Sequence, residues 1–261
     1  EAVLAANASW LFRAIPFLVF AFTWVAAALV PAFAVDLPFA YAADFIAVVA
    51  LLGSARFFLA LAGLDVGTSF GGIGASREVM IASLAEPAML MIVFSLALIA
   101  GTTNLSAISH FMAGTLTLRA SLALALVGFI MVAIAENARI PVDNPATHLE
   151  LTMVHEAMVL EYSGRHLALI EWAASLKLLL YVSLLAAVFA PWGMAAEGDG
   201  PAAYLLGLAL YLAKLVIGAL LLAFFEISIA KMRVFRVPEF LGAALMLGLL
   251  ATILQFVSRS L

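Results

Sequence analysis

Residues 203–225 read AYLLGLALYLAKLVIGALLLAFF, an apolar run in which Lys214 is the only charged residue. An α-helix needs about 20 residues to cross the hydrocarbon core of a bilayer, so this run is long enough to be a span. Similar runs recur along the chain. The seven windows cover residues 10–31, 43–64, 78–100, 119–135, 168–190, 203–225 and 239–258, and the fourth is the shortest.

The composition agrees with these windows, since 67% of the residues are hydrophobic and 11% are charged. Soluble domains are about half apolar and about a quarter charged, so the bilayer must solvate most of this surface. The fold expected is an all-α, polytopic transmembrane bundle, formed as a single domain over residues 1–261. Glu1 is not a start residue and no signal peptide precedes the first window, so we expect that the N-terminus is missing from this sequence.

The absence of cysteine and of basic runs limits the functions that this chain can have alone. Without cysteine it cannot form disulfides, thiolate-bound iron–sulfur clusters or cysteine-ligated zinc sites. Nucleic acid is not an expected partner, because no basic patch is present. If electrons move in this system, they move in a partner subunit.

The positive charges predict the orientation of the bundle. Lys and Arg are absent from the loops at 32–42, 101–118 and 191–202, which are therefore assigned to the outside. The first residue is then cytoplasmic and the C-terminus is outside. The residues that define the cytoplasmic side are Arg13, Arg77, Arg139, Arg165, Lys231, Arg233 and Arg236.

The segment at 136–167 is the longest polar stretch on the cytoplasmic side. Asn144 and Pro145 are typical of a helix start, and Gly164 is typical of a helix stop. These signals predict an amphipathic helix over about 145–162. Its acidic and histidine side chains favour contact with another protein over adhesion to anionic lipid.

Glu86, Lys177 and Lys214 lie near the middle of three different windows. Burying an ionisable group at that depth costs about 2.5 kcal/mol or more unless the group is paired or hydrated. Each of these three residues could therefore belong to a static ion pair between helices or to a proton path, and we favour the proton path. Lys214 also shares one helix face with polar and small residues. These are Tyr204, Gly207, Tyr211 and Gly218.

The cytoplasmic segment is rich in carboxylates, which raise one another's proton affinity and can pass protons when water connects them. A solvated loop face is the alternative. The carboxylates are Glu136, Asp143, Glu150, Glu156, Glu161 and Glu171. The nearby histidines follow no compact metal-binding spacing, so contact with a protein is favoured over a metal site. They are His148, His155 and His166.

The stretch GLDVGTSFGGIGASRE at 63–78 is predicted to be a glycine-rich loop. Its GGIG follows no strand, so nucleotide binding is not expected. The glycines instead favour close approach of backbones at the membrane edge.

Four stretches together resemble the subunit-1 family of respiratory complex I and its relatives in membrane-bound hydrogenases. They are GLDVGTSFGGIGASRE, ENARIPVDNPATHLEL, LEYSG and AKMRVFRVPEF, and the resemblance covers nearly the whole chain. GASRE, LEYSG, the SLK at 175–177 and the PWG at 191–193 are closer to the formate-hydrogenlyase and energy-converting hydrogenase branch. The positions that match the family pattern are Arg77, Glu86, Glu136, Arg139, Pro141, Asp143, Glu150 and Glu161–Ser163.

The resemblance implies a membrane anchor that joins a hydrophilic redox arm to antiporter-like subunits in the bacterial or archaeal cytoplasmic membrane. It also implies eight spans in the full chain, one of them before the first window. Iron–sulfur clusters, and a nickel–iron centre in the hydrogenase branch, would belong to those partners, and no cofactor is expected in this chain. The implied proton path includes Glu86, Glu136, Glu150, Glu156, Glu161, Glu171, Lys177, Lys214 and Glu226. The implied arm interface includes Arg77, Arg139, Asp143, His148, His155, Arg165, Arg233 and Arg236, within the loop at 136–167 and beside it.

The chain departs from the family at three positions, with Val142 in place of Phe and with Ala146 and His148 in place of an acidic pair. These changes weaken the alternative that the chain is the quinone-binding subunit of an NADH dehydrogenase-like complex. A stand-alone secondary transporter is the third hypothesis. The absence of a visible internal repeat argues against it.

Overall fold

The computed structural model describes residues 8–36, 40–114, 119–143 and 153–260. Within these ranges the chain folds into helices and contains no strand. The helices are α1 (Trp10–Leu29), α2 (Phe45–Asp65), α3 (Ser69–Ala100), α4 (Leu105–Gly114), α5 (Ala120–Glu136), α6 (His155–Val159), α7 (Gly164–Phe189), α8 (Pro201–Ser228) and α9 (Val237–Ser260). Two short 3-10 turns lie at Ala40–Ala42 and Val234–Arg236.

Among the described residues, six helices are long and apolar enough to cross a membrane, namely α1, α2, α3, α7, α8 and α9. The helix α5 is also apolar but has only 17 residues. These helices coincide with the seven windows, and the shortest window is the shortest helix of this set. The prediction of an all-α, multi-pass bundle is therefore confirmed, whereas an eighth span stays a prediction.

Local sequence signals set the ends of the long helices. Asp44 caps α2 by accepting hydrogen bonds from the backbone N–H groups of Ile46 and Ala47. Thr68 caps α3 in the same way through Gly71 N–H. The other end of α3 stops at Gly101, whose φ of 75° is a left-handed conformation that glycine adopts without strain.

The helix α3 is the centre of the bundle, since α2, α5, α6 and α9 all pack against it. The helix α1 packs against α2 and α7 on one side of the bundle. The position of α8 is different. Within α8 only Gly207 is buried, so this helix lies on the outside of the bundle.

Three sequence predictions about local structure are wrong. The outer segment at 101–118 is not simply a loop, because it contains α4, with Leu105 and Ile108 completely buried. The glycine-rich segment at 63–78 is helical from Ser69 onward. Its glycines do allow close packing, because a Cβ on Gly74 would lie 2.9 Å from both the Ala157 Cβ and the Val154 carbonyl oxygen.

The third wrong prediction is the continuous helix over 145–162. Met153 and Val154 are not helical, and α6 contains only five residues. Arg77 Nη1 donates a 2.6 Å hydrogen bond to the carbonyl of Met153 in this non-helical stretch. Gly164 has a φ of 55°, but it lies at the start of α7 and does not end a helix that reaches 162. Residues 144–152 lie outside the described part of the chain.

Candidate ion-path site

Arg56 lies at the centre of a polar cluster inside the bundle. It comes from α2, and only 5% of the residue is exposed. Its Nε lies 2.8 Å from Glu78 Oε1, and its Nη2 lies 2.6 Å from Glu136 Oε2. Burial of a guanidinium is tolerated here because two carboxylates compensate its charge.

Lys177 extends the cluster to a fourth helix. Its Nζ lies 3.0 Å from Glu136 Oε2, the same oxygen that pairs with Arg56. Glu136 therefore binds two cations at once. Arg56, Glu78, Glu136 and Lys177, which we call the four-helix charge cluster, come from α2, α3, α5 and α7 and carry no net formal charge.

Glu86 lies on α3, eight residues further into the helix than Glu78. Its carboxylate is near enough to Arg56, Glu136 and Lys177 to interact with their charges. It also packs against Gly53, where an added Cβ would lie 3.2 Å from Glu86 Oε1. Gly53 thus gives the carboxylate room beside the cluster.

A cavity of about 550 Å³ opens next to the four-helix charge cluster. Arg56, Glu136 and Lys177 line one part of it, and His155, Glu156 and Glu171 line another. Apolar residues of several helices, including Val19 of α1, Leu59 of α2 and Ile170 of α7, line much of the rest. A polar cavity of this size has room for water and for small ligands.

The short segment around α6 forms part of the cavity wall. Burial there lowers the pKa of His155 below the ordinary 6.5, which favours the neutral imidazole. Burial also raises the pKa of Tyr162 far above its ordinary value. The Tyr162 ring stacks on Phe12 at 3.9 Å and its hydroxyl donates to the Phe12 carbonyl, so a neutral tyrosine ties this segment to α1.

A second group of ion pairs connects the loop after α5 to the end of α8. Lys231 Nζ donates to Asp143 Oδ1 at 2.8 Å, and Asp143 is only 3% exposed. Arg139 Nη1 lies 3.6 Å from Glu226 Oε1. These contacts hold the loop that carries the cavity residues Asn137 and Arg139 against the α8 side of the bundle.

Comparison with known proteins identifies the family of this chain. Residues 1–257 match the NADH dehydrogenase family. The chain belongs to that family. Formate hydrogenlyase subunit 4 of Escherichia coli is 34% identical over 246 residues, which are 93% of this chain and 78% of that protein. Hydrogenase-4 component C of Escherichia coli is 36% identical over 233 residues, which are 88% of this chain and 70% of that protein.

A solved structure supports the fold of this NADH dehydrogenase family member. The chain matches part of the membrane-bound sulfane sulfur reductase, an archaeal respiratory membrane complex, with a TM-score of 0.80. The match covers 97% of this chain and 82% of the compared chain at 15% sequence identity. The resemblance inferred from the sequence motifs is therefore confirmed, and the chain is a multi-pass membrane protein.

The structure brings together some of the residues that the family resemblance selects and separates others. Glu136, Glu156, Glu171 and Lys177 all line the cavity, and Glu86 lies beside it. Lys214 lies apart on α8, where its Nζ donates to the Trp192 carbonyl. The remaining path residues are Glu161, which is exposed, Glu226, which pairs with Arg139, and Glu150, which lies outside the described residues.

The residues expected at the arm interface also fall into groups. Arg165, Arg233 and Arg236 are exposed, and Arg139 is about one-third exposed. Arg77 and Asp143 face the protein instead, where they bond to Met153 and Lys231. His155 lines the cavity, and His148 lies outside the described residues.

Two residues of the four-helix charge cluster, Arg56 and Glu78, are absent from the sequence-based selection. Arg56 could have been found, because it is a charged residue within the second apolar window. Glu78 lies at the edge of the third window, where a charged residue is ordinary. In the part of the chain that the structure describes, no three His, Asp or Glu side chains form a group that could hold a metal ion.

Proposed function

We propose that the chain is the membrane anchor and ion-path subunit of a complex I-like oxidoreductase of the hydrogenase type. The names of the two Escherichia coli relatives support the hydrogenase assignment. The observation that carries the ion path is the four-helix charge cluster, in which buried Glu136 is shared by Arg56 and Lys177 beside a polar cavity. The proposed location is the cytoplasmic membrane of a bacterium or archaeon.

The cluster suits ion transfer because its charges are strongly coupled. Two unit charges about 3 Å apart interact by about 5 kcal/mol at an effective dielectric constant of 20. A proton bound to Glu136, or a charge introduced in the cavity, would therefore weaken the hold of Glu136 on Lys177. Lys177 is 19% exposed at its side chain, so its ammonium has access to the cavity when that pair loosens.

We place the path in a sequence from the cavity into the bundle. Glu156 and Glu171 would take up protons at the cavity wall, and Glu136 with Lys177 would pass them inward. Glu86, which packs against Gly53 beyond the cluster, would be the next acceptor. Water in the cavity would bridge the gaps, since hydrogen bonds through single water molecules carry protons between groups that do not touch. The participation of Glu150, Glu161, Lys214 and Glu226 stays a prediction.

Electrons would move in a partner arm. This chain contains no cysteine, so thiolate-bound iron–sulfur clusters and a nickel–iron centre would belong to other subunits. Exposed Arg165, Arg233 and Arg236 would contact that arm at the predicted cytoplasmic end, and antiporter-like membrane subunits would carry ions onward. The oxidoreductase activity is then a property of the assembly, to which this chain contributes the coupling site.

Purification of the tagged chain from its native membrane tests the assignment. We expect it to bring an iron–sulfur subunit with hydrogen-evolving activity and antiporter-like membrane subunits. Recovery of the chain alone would contradict an anchor role. Recovery with an NADH-oxidising, quinone-reducing arm would favour the alternative function.

Replacing Lys177 in the purified, reconstituted complex tests the path itself. Lys177→Met should greatly slow proton uptake into vesicles while the arm still transfers electrons, because Glu136 loses its mobile partner. Leu179→Met is the matched control on the same helix, since Leu179 is 42% exposed and does not line the cavity. Unchanged proton uptake per electron in Lys177→Met would remove this residue from the path.

One observation favours the quinone-binding alternative. Arg56 Nη1 is buried and has no hydrogen-bond partner among the described residues, although it belongs to a residue that lines the cavity. A quinone carbonyl is an acceptor that such a donor would bind, and a ring of that size fits the cavity volume. A photoreactive quinone should label residues of the cavity, and an excess of unmodified quinone should reduce that labelling if this function is correct. The absence of labelling at a saturating concentration of the probe would exclude this function.

A further inference from the structure

Glu136 and Glu86 lie at different depths in the bundle. Glu78 lies near the depth of Glu136, because Arg56 pairs with both carboxylates. Glu86 is eight residues further along α3 than Glu78, which is a rise of about 12 Å. Among the described residues, no hydrogen bond joins Glu86 to Glu136. A proton that leaves Glu136 therefore needs an intermediate group to reach Glu86.

Tyr181 lies between these two depths, on α7. The helices α3 and α7 both start at the predicted cytoplasmic end, so residues further along either helix lie deeper in the membrane. Tyr181 is four residues, or about 6 Å, beyond Lys177, whose Nζ lies 3.0 Å from Glu136 Oε2. A separation of four residues also puts the Lys177 and Tyr181 side chains on one face of the helix. Tyr181 is thus the next polar side chain inward from Lys177 on that face.

The contacts of Tyr181 hold it inside the bundle. Only 3% of the residue is exposed, and the centroid of its ring lies 6.0 Å from that of Phe129 on α5. Phe129 comes seven residues before Glu136, so the Tyr181 ring packs on the interior side of the four-helix charge cluster. The hydroxyl is near enough to Glu136 and Glu86 to interact with the charges of both. It therefore borders both ends of the gap in the path.

The Tyr181 hydroxyl has no hydrogen-bond partner among the described residues. Other hydroxyls on the surrounding helices do have one. Thr23 donates to the Val19 carbonyl and Ser83 to the Met80 carbonyl, each within its own helix. A buried hydroxyl without a partner is destabilising, so water is its expected neighbour. A hydroxyl has one donor and two acceptor sites, which allows it to accept a proton on one side and release its own on the other.

We propose that the Tyr181 hydroxyl relays protons between Glu136 and Glu86. Its O–H proton passes through water to the Glu86 carboxylate, and its oxygen accepts in turn the proton that Glu136 releases. The hydroxyl is therefore unchanged after each transfer, and no electron moves. This role rests on the proposed function, since it requires protons to pass through the four-helix charge cluster. It adds to the path a residue that carries no formal charge.

Proton uptake by the purified complex in sealed vesicles, measured with Tyr181→Phe, tests the relay. This substitution removes only the hydroxyl and keeps the ring against Phe129. We expect proton uptake per electron to fall to about a tenth or less, while the arm still transfers electrons. Tyr41→Phe, at an outer position that is 81% exposed, is the matched control and should leave that ratio unchanged. A ratio in Tyr181→Phe equal to that of the unsubstituted complex would overturn the relay.

Denaturation midpoints of the same complex distinguish a relay from a structural role. The Tyr162 hydroxyl donates to the Phe12 carbonyl, so Tyr162→Phe should lower the midpoint. Tyr181→Phe should leave the midpoint unchanged or raise it slightly, because no hydrogen bond between described residues is lost. A decrease in Tyr181→Phe as large as that in Tyr162→Phe would show that the hydroxyl stabilises the fold, and it would overturn the relay.

Lys177→Met and Glu86→Gln, measured in the same vesicles, separate the relay from the proposed function. If either variant reduces proton uptake per electron while Tyr181→Phe does not, the relay fails and the ion path stands. If none of the three variants changes that ratio, the path through the four-helix charge cluster fails and the relay fails with it.

Discussion

Arg56 and Lys214 look alike in the sequence and have opposite surroundings in the structure. Each is a single basic residue within an apolar window. Arg56 is 5% exposed and pairs with Glu78 and Glu136 between packed helices. Lys214 lies on α8, where only Gly207 is buried, and it bonds to the backbone carbonyl of Trp192.

The difference shows what hydropathy measures and what it leaves out. A window of apolar residues reports how deep a side chain lies in the membrane, whereas its direction around the helix depends on packing. The helix α2 is enclosed by α1 and α3, so Arg56 meets carboxylates of the same chain. The helix α8 contacts the bundle along one stripe, and Lys214 bonds there to the Trp192 carbonyl and, among the described residues, to no carboxylate.

The largest expected effect is on stability when Arg56 is removed. Arg56→Met leaves Glu78 and Glu136 buried with only Lys177 to compensate them, and breaking a buried ion pair costs about 3–5 kcal/mol. Lys214→Met, the matched change, should cost about 1 kcal/mol or less in the isolated chain. Denaturation of both variants in the same detergent measures the difference.

Equal losses in the two variants would contradict the distinction between a buried ion-pair cluster and a single bond to a backbone carbonyl. The double variant Arg56→Met/Glu136→Gln serves as a further control. It removes one of the two carboxylates along with the cation, so it should be less destabilised than Arg56→Met alone.

An intermediate effect is expected when a methyl group is added at two close helix contacts. Gly74→Ala places a Cβ 2.9 Å from the Val154 carbonyl and the Ala157 Cβ, so α6 must shift, at a cost of about 1–3 kcal/mol. Gly218→Ala meets only the end of the Val182 side chain, which can rotate away, so its cost should be below about 1 kcal/mol.

Thermal denaturation of these variants tests that order. Gly72→Ala is the control on the same helix as Gly74, because nothing lies within 4 Å of the added Cβ. It should leave stability unchanged or raise it slightly, since alanine favours helix more than glycine does. A loss in Gly72→Ala as large as that in Gly74→Ala would refute the packing explanation.

The smallest effect concerns the pH dependence of stability near α6. Burial lowers the pKa of His155 below 6.5, in a setting that also contains Glu78, Lys177, Glu156 and Asp143. The unfolded chain therefore binds a proton at a higher pH than the folded chain does. Stability should fall as pH decreases from about 6.5 toward the lowered pKa, and it should be flat above that range.

Denaturation midpoints of His155→Gln between pH 5 and pH 8 check this sign, at a spacing of about half a unit. The substitution should flatten the low-pH slope. His110→Gln, at an exposed position of α4, is the control and should keep the slope of the unsubstituted chain. A slope in His155→Gln equal to that of the unsubstituted chain would assign the effect to another group.

Much of the fold could be predicted from the sequence, because length and hydropathy suffice to define spans in a bilayer. The helix α4 was missed because it is short and lies in an outer segment without charge. The helix over 145–162 was predicted from capping residues alone. Arg77 bonds to the Met153 carbonyl, where the chain is not helical, and such a contact over 76 residues is invisible to local rules.

The candidate site was predicted in part. Glu136 and Lys177 were selected from depth and from the family motifs, and the structure places them 3.0 Å apart. The sequence could not show that Arg56 also pairs with Glu136, because Arg56 reaches this carboxylate through the packing of α2 against the rest of the bundle. Nor could the sequence show that Lys214 lies on the outer surface, since a helix on the edge and a helix in the centre have the same composition here.

Proton uptake by the purified complex in sealed vesicles, measured with Glu86→Gln, tests the internal path most directly. Among the described residues, Glu86 makes no ion pair or hydrogen bond, so glutamine should fold in its place beside Gly53. The path predicts that electron transfer by the arm continues while proton uptake per electron falls sharply. Glu197→Gln, in the exposed outer loop, should leave both unchanged. Full proton uptake in Glu86→Gln would contradict the passage of ions through this cluster.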